Sequence, residues 1–183
     1  MKTVTGHNIA ALPNPHLAVL VTCCDYNGQP NVLTVAWHTP LSHQPPLLGI
    51  SIAHSRYSHT LMRDEGEFMV NIVGQSLQEA VEICGTYTGE IDDKLDIAGL
   101  QIRMAKHVRP PVLLDALGVL ECKVVDQVET GDHAFFIGQV LLALACDDCF
   151  SNAWKSQGDE AVLQCLQRDR YGTFLEGRSN GSV

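Results

Sequence analysis

Apolar residues in this chain arrive in short runs, not in helical stripes. Leu17 to Cys24 is a continuous Val- and Leu-rich run and Leu47 to Ile52 is a second, while Glu67 to Val73 alternates in the manner of a strand before Gly74. Asp25-Tyr26-Asn27-Gly28 follows the first run; Asn-Gly is a strong hairpin signal, so Asn31 to Trp37 reads as the returning strand. Pro45-Pro46 punctuates ahead of Leu47. Two long strands, Gly118 to Val128 and His133 to Ala145, are joined by Glu129 to Asp132. Helical signals are fewer. Ser58 to Asp64 predicts a short helix stopped by Gly66, with Ser58 a plausible N-cap. Ser76-Leu77-Gln78-Glu79 reads as a capping box opening a helix that stops near Gly85. Asp92 to Ala98 predicts a third helix ended by Gly99, and Glu160 to Gln167 a small helical patch in a polar tail (150–183) whose last residues, Gly177 to Val183, read as disordered. Strand runs joined by short turns, with helices between only some of them, favour a mainly β fold. An antiparallel barrel or Greek key with added helices fits better than βαβ units.

Composition narrows the class. The chain has 183 residues, 45% of them hydrophobic, which suits a single domain burying its own core without disulfide staples. The longest apolar run, Phe135 to Ala145, is broken by Gly138 and Gln139 and falls short of the roughly 18–20 residues that span a bilayer. Met1 to Ala11 lacks the apolar centre of a secretory signal, so a cytoplasmic location is expected. The formal charge of −9, from 12 basic and 21 acidic residues, repels nucleic acid and anionic membranes alike. A small phosphate ligand, by contrast, needs only one or two local cations and a few backbone N–H groups. Seven cysteines read as reduced thiols. Cys23, Cys24, Cys84 and Cys122 sit among apolar residues as core fillers. Cys146-x-x-Cys149 has zinc-like spacing, but no second pair accompanies it and no metal is expected.

Two segments depart from a plain structural pattern. Asn31, Leu33, Val35 and Trp37 share one face of their strand, and Val32, Thr34 and Ala36 the other. Backbone groups of an edge strand can serve the polar rim of a flat ring, and Leu33 and Trp37 can wall its apolar end; equally, Thr and Trp simply suit a half-buried strand. Ser55, Arg56, Tyr57, Ser58 and His59 precede or open a helix, where N–H groups, the dipole and an arginine favour a phosphate, though an ordinary capped helix explains them as well. Together the two segments suggest a flavin nucleotide. Lys94 can stabilise an anionic reduced flavin or pair with Asp92 or Asp93 on the surface. His133 opens a buried strand, with one ring nitrogen fixed by a neighbour such as Asp132. The remaining histidines, His54 included, lack ligand spacing, and no Ser–His–Asp set assembles from local pattern. No glycine-rich dinucleotide or P-loop motif is present.

The chain resembles the flavin reductase-like, FMN-binding split-barrel family, and within it the flavoredoxin-type branch. The resemblance rests on Asn27-Gly28 with Asn31 to Trp37, Pro45-Pro46 before a strand, Arg56-Tyr57-Ser58-His59 and Glu67 to Asn71. It continues through Asp93-Lys94 with Ala98-Gly99-Leu100, Leu120 to Lys123, and Gly131-Asp132-His133 with Phe136 to Val140, in order from about Pro13 to Leu142. It implies a six-stranded Greek-key barrel bearing helices, a homodimer, and one FMN per subunit near the dimer interface. By matching position, Asn31, Val32, Leu33 and Trp37 would line the isoalloxazine, and Thr34 and Ala36 the ribityl chain. Ser51, Ser55, Arg56, Tyr57 and Ser58 would hold the phosphate region. Asn71 would sit behind the site. Lys94 and His133 would approach the ring, possibly across the interface, and Tyr171 or Phe174 would pack on it from the tail. The implied activity is oxidoreduction: hydride from NADH or NADPH to FMN, and electrons onward to a flavin, a metal complex or a protein acceptor. The alternatives are an electron carrier reduced by a partner protein, and a non-flavin binding protein or hydrolase on a similar barrel. Lys94 and His133 are the candidate functional side chains beyond simple cofactor contact.

Overall fold

The computed structural model describes residues 1–155, 161–167 and 170–173. A 3-10 turn, Gly6–Ala11, leads to β1 (His16–Leu17), β2 (Val19–Cys24), β3 (Pro30–Val35), β4 (His38–His43) and β5 (Pro46–Ala53). Helix α1 (Tyr57–Glu65) and β6 (Glu67–Ile72) follow, then α2 (Gln78–Thr86), α3 (Lys94–Ile97), β7 (Ile102–Arg103) and β8 (Val112–Leu113). The long β9 (Gly118–Thr130) and β10 (His133–Ala145) precede β11 (Gln164–Gln167) and β12 (Arg170–Gly172).

Seven strands form one sheet in the order β3-β2-β6-β9-β10-β5-β4, every neighbouring pair antiparallel. Side chains from β2, β3, β5, β6, β9 and β10 meet in one core, among them Val21, Leu33, Ile50, Phe68 and Phe136, so the sheet is rolled around it. β3, one end of the sheet, and β5, next to the other end, approach one another without ladder pairing, which splits the barrel. The fold is therefore the mainly β split barrel with added helices expected from sequence. The sheet has seven strands, not six, because the chain leaves β3 at Val35, turns through Ala36 and Trp37, and lays β4 along the outer edge of β5.

The continuous apolar run is explained by burial on both faces. Val19, Val21 and Cys23 of β2 point into the barrel, and Leu20 joins a second cluster with Val32, Val81, Cys84 and Leu163 beneath α2 and the tail. Asn71, fully buried on β6, donates from Nδ2 to the Leu20 carbonyl at 3.0 Å and accepts from the Leu113 N–H at 3.0 Å, pinning β8 against the sheet. Two glycines lie under aromatic rings. A Cβ on Gly138 would sit 2.5 Å from Phe68 Cζ, and one on Gly49 would overlap the Phe135 ring.

Helix α1 stops as predicted. Gly66 adopts φ 68°, and its N–H donates to the Met62 carbonyl at 3.0 Å. Three local readings are corrected. Ser58 is not the N-cap of α1; Arg56 holds that position without a side-chain cap, and Ser58 is buried inside the first turn. Ser76 is not a capping-box residue either. It lies in a 3-10 turn, Gln75–Leu77, whose Gln75 N–H donates to Ala161, and α2 begins afterwards with no side-chain cap. The tail contact, not a local cap, sets the helix entry. Thirdly, the helical patch is a strand: Gln164–Gln167 pairs with β1 and β12, while Ala161, Val162 and Leu163 are buried. Glu160, Phe174 and Gly177 to Val183 lie outside the described residues. Among the described residues no helix is long and apolar enough to cross a membrane.

Candidate functional site

The split between β3 and β5 opens into a groove of about 560 Å³. Leu33, Thr34, Val35, Ala36 and Trp37 line one side, and Ser51, Ile52, Ala53 and Arg56 the other. The Ser51 N–H donates to the Trp37 carbonyl at 2.9 Å, which holds the turn after β3 beside β5. His133 closes the wall: its ring lies 4.9 Å from the Trp37 ring, tilted by 34°. His133 Nδ1 is 2.6 Å from Asp132 Oδ1, the fixing contact expected from sequence, and this hydrogen bond holds the Asp132 carboxyl below the usual carboxylate range. Trp37 is 43% exposed, so a broad apolar face stands open to the groove.

At the other end of the split, α1 begins. Ser55, Arg56, Tyr57 and Ser58 line a small cavity of about 60 Å³ with Leu33, Tyr87, Thr88, Gly89 and Lys94. Because no side chain caps α1, its opening turn presents the positive end of the helix there. Arg56 lines both spaces and joins them; its Nη1 donates to the Gly85 carbonyl at 3.1 Å, at the end of α2.

Lys94 overturns the bland reading of a surface lysine. It is 5% exposed and makes no ion pair among the described residues; Nζ reaches the Cys84 carbonyl at 3.5 Å. Asp93 instead caps α3, accepting from the Leu95 and Asp96 N–H groups. Burial lowers the Lys94 pKa, and an ammonium held by one long contact gains from any nearby anion. Beside it, Asn31 Nδ2 donates to Ser58 Oγ at 2.6 Å, and the buried Asn31 Oδ1 has no partner among the described residues. Gly89 lies so close that a Cβ there would overlap Asn31 Oδ1. Asn31, Val32, Tyr57, Gly89 and Lys94 border a further cavity of about 160 Å³. Burial also pushes the Cys23 thiol, next to Asn31, up to about 11, so it remains protonated and unreactive at neutral pH.

The structure thus brings together, within one chain, Leu33, Thr34, Ala36, Trp37, Ser51, Arg56 and His133 in the groove, and Asn31, Val32, Ser55, Tyr57, Ser58 and Lys94 around the adjoining cavities. Thr34 is partly committed elsewhere, donating to the Val81 carbonyl at 2.5 Å. Asn71 stands behind the barrel wall with its amide used by backbone groups. Tyr171 packs on the second core cluster and does not line the groove; Cys165 and Gln167 of the same hairpin do. Sequence reasoning missed those two, and also Asn8, Ala10, Ala11 and Asn14 of the N-terminal segment and Tyr87 to Gly89. Only Gly89 carried a signal, a glycine among polar residues where another chain segment comes close.

Comparison with known proteins agrees with this fold. Residues 13–155 match the family model of the flavin reductase like domain. An uncharacterised protein of Archaeoglobus fulgidus is 42% identical over 113 residues, 62% of this chain and 64% of that protein, so the chain spans less than two thirds of that relative's length. An NADH:riboflavin 5'-phosphate oxidoreductase of Streptomyces pristinaespiralis is 30% identical over 130 residues, 71% of this chain and 70% of that protein. Flavoredoxin of Desulfovibrio vulgaris (Miyazaki F) shares the fold, with a TM-score of 0.84 at 23% identity over 98% of this chain and 97% of that one. The chain belongs to the flavin reductase-like family.

Proposed function

We propose that this chain binds FMN in the split of the barrel and is an NAD(P)H-dependent flavin reductase. The observation that carries the reading is the continuity of the site. Arg56 belongs both to the open groove walled by Trp37 and His133 and to the cavity at the start of α1, so one elongated ligand with a flat ring and a terminal phosphate suits both ends. The residues fit such a ligand: Leu33, Trp37 and Ile52 offer apolar contact, Arg56 and the uncapped helix end offer positive potential, and Asn31 Oδ1 and Lys94 are polar groups short of partners. When bound, the flavin supplies the hydride-accepting chemistry. The chain's own residues position and tune: Trp37 and His133 leave one broad face accessible to a nicotinamide, Asp132 orients His133, and Lys94 favours added negative charge. The similarity to an NADH:riboflavin 5'-phosphate oxidoreductase supports NADH as donor. Electrons would pass to a second flavin, a metal complex or a protein acceptor.

Mixing the FMN-loaded protein with NADH or NADPH without oxygen tests this. Bleaching of the flavin within seconds is expected. A protein that takes up FMN but bleaches only with dithionite or a reduced partner protein is an electron carrier, and one that takes up no FMN rejects the assignment. Lys94→Met is expected to disfavour reduced flavin by about 1–2 kcal/mol, or about 20–40 mV for a two-electron couple. A spectroelectrochemical potential equal to wild type, with equal FMN affinity, would remove Lys94 from the site. A homodimer is part of the reading: Val125 and Val128 toward the turn of the β9–β10 hairpin, and Leu141 and Leu144 toward its open end, are exposed apolar side chains that a second copy would cover. Buried thiols at Cys23, Cys84 and Cys122 suit a reducing compartment such as the cytoplasm.

A further inference from the structure

Three side chains distant in sequence converge beyond the groove. His54 follows β5, His59 lies in the first turns of α1, and Glu129 stands near the end of β9. One donor atom from each lies within 4.8 Å of the others. His54 Nε2 is 2.8 Å from Glu129 Oε2, and the two imidazoles meet edge to face at 5.0 Å. His59 is 8% exposed, and its buried Nε2 has no hydrogen-bond partner among the described residues. A buried ring nitrogen left unbonded is unusual and costs stability unless something binds it.

We propose that His54, His59 and Glu129 bind a divalent transition-metal cation of the zinc type. Two imidazoles and one carboxylate are the nitrogen and oxygen donors such ions prefer, whereas magnesium and calcium favour oxygen alone. Three protein ligands leave one position for water. Tetrahedral bonds of about 2.1 Å separate ligand atoms by about 3.4 Å, a spacing between the 2.8 Å of the His54–Glu129 pair and the 4.8 Å within which all three donor atoms lie. Buried His59 fixes the centre, and the half-exposed His54 and exposed Glu129 have the freedom to adjust. Burial lowers the His59 pKa, helped by nearby His54 and Arg63 and opposed by Glu129 and Asp64, which favours the neutral imidazole that binds metals. The ion would tie the start of α1 to the tip of the β9–β10 hairpin, where the His54 N–H already donates to the Asp132 carbonyl at 3.1 Å.

The test is a Co²⁺ titration of the untagged, flavin-loaded full chain, followed by difference absorbance. One equivalent should give visible ligand-field bands without the near-ultraviolet sulfur-to-cobalt charge transfer that Cys146 or Cys149 would produce. Zn²⁺ should abolish the bands and Mg²⁺ should not. Glu129→Gln and His54→Ala, both at exposed side chains, should each weaken Co²⁺ by about 10- to 100-fold or more, since loss of a ligand costs at least as much as loss of its supporting partner. Unchanged melting of the metal-free variants would show that the fold is intact. Absence of visible bands in wild type, a thiolate charge-transfer spectrum, or Co²⁺ affinity equal to wild type in both variants overturns the proposal.

Discussion

Arg56→Ala is expected to lower the affinity for FMN by about 10- to 100-fold while leaving the affinity for riboflavin unchanged. Arg56 has extended backbone at the N-cap of α1, and its guanidinium is steadied by the Gly85 carbonyl at 3.1 Å. It is therefore partly ordered before any ligand arrives, which reduces the entropy lost on binding. Each hydrogen bond to a charged group contributes about 1.5–3 kcal/mol, so the loss of one such bond accounts for a change of about 10- to 100-fold. Riboflavin lacks the phosphate and should not sense the change. Fluorescence-quenching titrations with both ligands measure the difference. Equal losses for the two would mean that Arg56 shapes the groove wall and does not hold the phosphate, and Arg56→Lys should fall between wild type and alanine.

Asn71→Leu is expected to be the most damaging single change in the core, at about 2–5 kcal/mol. Its side chain is close to the size of leucine, so no large cavity opens. The cost comes from the Leu20 carbonyl and the Leu113 N–H, both in fully packed surroundings, which lose their partner. Each buried backbone group left unsatisfied costs about 1–3 kcal/mol. Urea unfolding would read the loss as a lower midpoint at unchanged slope. A loss below about 1 kcal/mol would show that water or a backbone shift replaces both bonds. Because β8 leans on the sheet through this amide, the segment around Val112 and Leu113 should lose hydrogen-exchange protection first.

The elements that depended on neighbouring residues were legible. Gly66 ended α1, the hairpin of β2 and β3 formed around Asn27-Gly28, and the two long strands appeared with nearly the expected ends. The alternation in β3 also placed Asn31 and Leu33 together on the side facing α1 and the barrel core. What failed was what depended on distant partners. Ser76 fits a capping box locally, yet the Ala161 carbonyl fixes the entry to α2. Gln164–Gln167 has no strong local preference, and it becomes a strand because His16–Leu17 offers an edge and Leu163 fills the second core. For Lys94, in a run of acidic residues, the sequence left a surface lysine and a ligand-facing one both open; only the tertiary approach of α2 and β3 buries it. His54, His59 and Glu129 have no common spacing at all, since three separate elements bring them together.

The ring of Phe68 resting on Gly138, with Cys122 Cβ 3.1 Å from the position a Cβ would take, couples positions 68 and 138 sterically. Alanine at 138 is blocked while phenylalanine occupies 68, and a smaller residue at 68 leaves a hole while glycine occupies 138. Either step alone is penalised and the two together compensate, so lineages of this barrel would exchange the pair jointly or keep both. Gly49 and Phe135 impose the same coupling on β5 and β10. β5, which carries one wall of the groove, is thereby locked to β10 by a ring seated on a glycine as well as by hydrogen bonds.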